Sequence, residues 1–149
     1  MRQALPDARH VGAPAEVIAN SMTGFFEYEK GDKRDQSEFN IFFRKFATFP
    51  FYSDCIWYLT QMRRWGQIPT PRPDAFYDAI ARKVYQPTLY LQAAEELVAE
   101  GLVKEADIPF GSDGYRAPTN KFLDGVTYDG RKPNDYLNSL TIGLKGESV

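Results

Sequence analysis

The side chains best suited to grip a small oxyanion are Arg63 and Arg64, which are followed by Trp65. A guanidinium presents a planar fork of N–H donors that matches planar anions. Two arginines closing a helical run also have a plainer use, because cations in a last turn complement the helix dipole. That reading, with surface packing, is the favoured one. Trp57 and Trp65 could form a binding platform, but aromatics dominate buried area, so a core or domain-contact role is expected for both. Asp113, Asp124 and Asp129 lie in glycine-containing stretches and bring calcium to mind. Their spacing does not match an EF-hand loop, so solvated turn residues are expected. Glu95, Glu96 and Glu100 could pose as an acid/base pair, yet on the outer face of a helix they are ordinary solubilising charges. The single His10 and the single Cys55 stand 45 positions apart. A surface histidine and a buried cysteine are the expected pair, rather than a nucleophile and its base. One cysteine also rules out an internal disulfide and a cysteine zinc cluster. No glycine-rich phosphate loop or dinucleotide fingerprint is present. The expectation is therefore a protein that is not an enzyme, with no catalytic residue, no metal and no cofactor.

The elements that would carry these residues read mostly as helices. Residues 14–22 (PAEVIANSM) form a helical candidate, with Pro14 suited to a first turn, Glu16 near the positive end, and Gly24 as a stop. Residues 27–38 are dense in charge around Gly31 and read as a solvated loop. In residues 39–51 (FNIFFRKFATFPF) six of thirteen positions are Phe. So much apolar surface is expected to pack against something. Periodicity leaves helix and extended chain both open there, and Pro50 should break either. Ser53 or Asp54 should cap a helix to about Trp65, with Ile56, Leu59 and Met62 on one face and Gly66 ending it. Residues 67–73 carry Pro69, Pro71 and Pro73 and form a stiff connector.

Two further helices are the firmest expectation. One runs from Asp74 to about Tyr85, with Phe76, Ile80 and Val84 as its buried stripe. The next opens at Pro87 and ends at Gly101, with a broad apolar face of Leu89, Tyr90, Ala93, Ala94, Leu97 and Val98. Residues 108–120 have no period. Residues 121–129 alternate weakly about Asp124-Gly125, a turn pair that could join two short strands. A last short helix should fall in residues 132–140, starting near Asn134 or Asp135.

Aromatics make up 15% of the chain and apolar residues 43%, which supplies a core and argues for order over most of its 149 residues. With 18 basic and 20 acidic residues the net charge is −2, so there is no electrostatic footprint for nucleic acid or anionic lipid. No apolar run approaches the ~20 residues of a membrane-spanning helix. Met1 to Val11 lacks the apolar segment of a signal peptide, so as written the chain would stay in the cytoplasm, and residues 1–11 are expected to be disordered.

Three segments together resemble a known family. They are SEFNIFF (37–43) with Ala47-Thr48; YSDCIWYLTQMRRWGQI (52–68), followed by ARKVY (81–85) and Leu89-Tyr90; and residues 122–145, with Asp124-Gly125, Tyr136-Leu137 and SLTIGLK (139–145). In order and spacing they resemble the C-terminal portion of nitrate- and bicarbonate-binding proteins of ABC transporters, and the middle string is the most specific. The resemblance implies the C-terminal part of a two-lobed, type II periplasmic-binding-protein-like α/β fold. That part would be mainly α with a few short strands, forming one partial domain over residues 1–149. It implies a component or fragment of the substrate-binding protein for nitrate or a similar small anion, periplasmic or membrane-associated at full length, with a transporter permease as partner. The family's anion-holding residues lie mainly upstream of the matched region, so ligand-binding positions here stay unknown. Self-association through exposed apolar surface is expected of the isolated chain. The alternative is a cytoplasmic nitrate-responsive regulatory domain related to the binding protein.

Overall fold

Helices set the frame, each where its end signals and apolar spacing allow. The computed structural model describes residues 5–22, 24–39, 41, 43–123 and 125–140, the side chains of Asn20 and Ser21 excepted. Residues 1–4, Thr23, Asn40, Phe42, Asp124 and residues 141–149 lie outside the described set, and with them two positions of the SEFNIFF string and most of the SLTIGLK string. The chain divides into two compact units, Met1–Thr48 and Phe49–Val149.

In the first unit, residues 5–11 run through successive turns and α1 spans Ala15–Met22. Gly24, with φ 80°, turns the chain out of the helix as expected. The charged stretch read as a loop is instead a hairpin. Strand β1 (Phe25–Glu29) pairs antiparallel with β2 (Asp32–Asp35), and Phe25 lies opposite Asp35. Gly31, at φ 88°, supplies the left-handed turn position. The charge density concealed a period of two. Phe26 and Tyr28 share one face with rings 6.2 Å apart, and the Arg34 guanidinium lies 4.7 Å from the Tyr28 ring centre. The Phe-rich stretch resolves as neither helix nor strand. Its described residues hold one 3-10 turn, Arg44–Phe46, inside which Lys45 takes φ 60°. Phe39 and Phe43 are exposed, whereas Phe49 and Phe51, which begin the second unit, are buried.

The second unit is a helical stack. Helix α2 spans Tyr52–Arg64, α3 Asp74–Val84, α4 Pro87–Ala99 and α5 Pro133–Asn138. Its core joins Cys55, Ile56 and Leu59 of α2, Tyr77 and Ala81 of α3, and Leu137 of α5. Burying one such large apolar side chain contributes about 1.5–3 kcal/mol. The buried stripes are rotated from expectation. On α2 the inner face continues through Thr60 to Arg63, and Met62 points outward. On α3 Tyr77 and Ala81 hold the centre, Phe76 and Ile80 pack at its edge, and Val84 is exposed. On α4 only Pro87 and Ala94 are buried, and Leu89 and Leu97 face outward. Sequence spacing fixes which residues share a face, but the neighbouring helices decide which face is covered.

The ends behave as their residues require. Gly66, with φ 81°, closes α2, and the N–H groups of Gln67 and Ile68 both reach back to the Met62 carbonyl. Gly101, with φ 72°, follows α4. Among the described residues the expected pair of strands around Asp124-Gly125 does not form, and an isolated antiparallel bridge joins Thr119 to Tyr128.

Candidate functional site

The first turn of α2 is where the irregular part of the chain is tied down. A helix leaves its first N–H groups without internal partners. Ser53 and Asp54 are not the cap: the capping position is Phe51, which makes no side-chain cap hydrogen bond. The Tyr52 N–H donates instead to the Gly114 carbonyl at 2.7 Å. The two polar side chains are thereby left for tertiary contacts. Ser53 Oγ accepts the Arg116 backbone N–H at 3.0 Å, and the Arg116 Nε donates to both Asp54 oxygens at 2.8 and 3.1 Å. The Arg116 guanidinium also lies 3.9 Å from the centre of the Phe51 ring. From the other side the Tyr128 hydroxyl donates to the Ser53 carbonyl at 2.6 Å. Burial, reinforced by the Asp54 charge, pushes the Tyr128 hydroxyl pKa well above its ordinary value.

Two glycines permit this approach. A Cβ on Gly130 would stand 2.6 Å from Ser53 Cβ and 2.8 Å from Ser53 Cα. A Cβ on Gly114 would stand 2.4 Å from the Tyr52 ring. Between α2 and the loop lies a cavity of about 240 Å3, walled by Trp57, Tyr58, Phe122 and Tyr128, with Asp54 and Arg116 at its polar side. Trp57 stacks on Phe122, with ring centres 5.8 Å apart and planes 21° from parallel.

A second cluster lies around Tyr115. Its hydroxyl donates to Asp78, which also accepts from Arg82 Nε at 2.9 Å. The guanidiniums of Arg131 and Arg82 lie 4.4 and 5.9 Å from the Tyr115 ring centre. Arg131 pairs with Asp113, and Asp113 Oδ1 accepts the Tyr115 backbone N–H at 3.0 Å. Burial, helped by the hydrogen bond to Asp78, pushes the Tyr115 pKa up to about 12. Burial alone would raise Asp78, but the bonds from Tyr115 and Arg82 outweigh it and leave this carboxyl below its ordinary value. The cluster lines an open cleft of about 450 Å3 in which Asp74, Asp78 and Asp113 outnumber Arg82 and Arg131. That charge balance does not favour an anion.

The residues singled out in the sequence are not brought together. Arg63 is fully buried and its Nη1 donates to the Ile68 carbonyl at 3.5 Å. It is a core residue, neither an open clamp nor a surface charge. The Arg64 guanidinium lies 5.2 Å from the Trp65 ring centre, and Trp65 is exposed. Trp57 is half-buried against Phe122. Asp113 and Asp129 accept backbone N–H groups two residues on, as turn residues do, while Asp124 lies outside the described residues. Glu95, Glu96 and Glu100 are exposed on and just beyond α4. His10 is exposed and Cys55 is buried, its thiol pKa raised by that burial. Among the described residues no group of acidic, His and Cys side chains could hold a metal ion. The residues that organise the site, Arg116, Tyr115 and Tyr128, come from stretches without helical period. Only Gly114 and Gly130, beside them in sequence, hinted at close backbone contact.

No protein-family model matches the chain. Over 137 residues, 91% of this chain, it is 31% identical to the nitrate/nitrite binding protein NrtA of a Nostoc species, of which it covers 29%. Over 97 residues, 64% of this chain, it is 34% identical to the bicarbonate-binding protein CmpA of Synechococcus elongatus, of which it covers 20%. The crystal structure of the periplasmic nitrate-binding protein NrtA from Synechocystis PCC 6803 superposes with a TM-score of 0.74 at 29% identity, over 95% of this chain and 34% of that one. The chain thus spans less than a third of the length of these curated relatives, which are named as binding proteins and not as enzymes. In sequence and in backbone path the chain is thus similar to part of the nitrate/nitrite-binding protein, and its described residues are mostly helical with one two-stranded sheet.

Proposed function

We propose that this chain acts as part of the substrate-binding component of an ABC transporter for nitrate or a similar small anion, and that it corresponds to the C-terminal portion of that component. The observation that carries the reading is the superposition, in which 95% of the chain follows 34% of a periplasmic nitrate-binding protein. The geometry here agrees with a structural share of the task. The most organised site is an aromatic cavity latched to a helix start, and the charged cleft carries more carboxylates than guanidiniums. Small-ligand sites enclose most of the ligand surface, and the anion would be held by polypeptide beyond these residues. The working protein would face the periplasm and hand its anion to a membrane permease, and the isolated chain would self-associate through its exposed apolar side chains. No helix among the described residues is long and apolar enough to cross a membrane. The cytoplasmic regulatory alternative draws no support from relatives named for nitrate and bicarbonate binding.

Two titrations test the proposal. Calorimetry of the 149-residue chain with sodium nitrate should give no saturable binding. A chimera carrying this chain in place of the matched stretch of the Synechocystis nitrate-binding protein should bind nitrate within tenfold of its parent. Tight binding by the chain alone, or a folded chimera that has lost nitrate, would overturn it.

A further inference from the structure

The outer face of α2 is apolar where a solvent face should be polar. Tyr58, Met62 and Trp65 follow one another at spacings of four and three, so they form one stripe along the helix. They are 59%, 39% and 54% exposed. The residue types are those that anchor protein contacts: large aromatics and an adaptable methionine. The stripe runs into the cavity beside it, because Tyr58 is both its first member and a wall of that 240 Å3 space. Leu123, just after the cavity residue Phe122, is fully exposed at 110%. At the far end Arg64 lies over the Trp65 ring. An exposed strip of this kind, ending in a preformed apolar socket, is costly unless something covers it.

The matched proteins point to what covers it. This chain accounts for 34% of the solved nitrate-binding protein, so two-thirds of that polypeptide lies outside the superposed stretch. We infer that the Tyr58–Met62–Trp65 stripe and its adjoining cavity are the seat for a segment of that further polypeptide. The segment places a large apolar or aromatic side chain in the cavity and an acidic side chain at Arg64. This inference rests on the proposed function and adds which face of the chain meets the rest of the binding protein. The charge match is local. Among the described residues Arg64 forms no ion pair, and its contact is the ring of Trp65. The cavity has room for one large side chain, since a space of about 150 Å3 already admits a benzene ring.

The test reads accessibility in folded protein. Tyr58→Cys, Trp65→Cys and Glu100→Cys are made separately in the 149-residue chain and in the chimera with the Synechocystis protein, and maleimide labelling rates are compared. Native Cys55 is buried and gives the background. All three should label readily in the chain alone, as their exposure requires. In the chimera the Tyr58→Cys and Trp65→Cys thiols should slow at least tenfold, while Glu100→Cys keeps its rate within threefold. A nitrate-binding chimera in which all three label as fast as in the chain alone refutes the seat and leaves the functional reading intact. A folded chimera that has lost nitrate binding strikes at the functional reading itself, whatever the labelling shows.

Discussion

Replacing Gly130 by Ala tests whether the loop–helix latch holds the second unit together. The new methyl would sit 2.6 Å from Ser53 Cβ and 2.8 Å from Ser53 Cα. Neither atom belongs to the far end of a flexible side chain, so the loop itself must move away from α2. Overpacking of this kind costs about 1–3 kcal/mol. The shift also loosens the Tyr128 hydroxyl from the Ser53 carbonyl, a bond of 2.6 Å worth about 0.5–1.5 kcal/mol net. The sum is roughly 2–4 kcal/mol. A domain of about 100 residues loses about 4–8 °C per kcal/mol, so a fall in Tm of at least ~8 °C is expected. Gly130 has no left-handed φ, so the cost is steric alone. Gly111→Ala is the control, because its φ of 77° is strained while its Cβ would meet nothing within 4 Å. It should cost about 1 kcal/mol, the ordinary cost of such backbone strain. Urea titration followed by circular dichroism measures both. Gly130→Ala within about 0.5 kcal/mol of the parent, the range of an ordinary surface substitution, would refute the latch.

Leu137→Ala should cost about 2–5 kcal/mol in the same titration, because Leu137 is fully buried between α2 and α3. Val84→Ala should stay within about 0.5 kcal/mol, since Val84 is exposed, and a large loss there would mean that α3 buries its other stripe. Tyr115 has a folded pKa of about 12 against an ordinary 10.0, so the stability it contributes is complete below pH 10 and is lost as pH rises toward 12. Tyr115→Phe should flatten that alkaline limb, and an unchanged limb would remove Tyr115 as a contributor. Asp78 has the opposite sign. Its pKa is held below 3.8, so its contribution is present above that pH and fades as pH falls further, and Asp78→Asn should flatten the acid limb below pH 3.8. Cys55 should react with a thiol reagent far more slowly in native than in unfolded protein, because burial both hides it and raises its pKa.

The helices and their stops were legible because those signals are local. Pro87 at a first turn, glycines at 24, 66 and 101, and apolar residues three and four apart act within a few residues of one another. The likeness of the 52–68 string to nitrate-binding proteins was likewise readable without coordinates, and the relatives agree with it. The 25–35 hairpin was missed because a polar two-stranded ribbon keeps its period of two in only a few apolar positions, here Phe26 and Tyr28. Folding alone decided which face of each helix is covered and where Ser53, Asp54, Arg63 and Tyr128 go. For Ser53, Asp54 and Tyr128 the partners lie 62 to 75 residues away, as Arg116 to Asp54 and Tyr128 to Ser53 show. Local spacing carries no information about such partners, because the pairing exists only once the loop has closed over the helix.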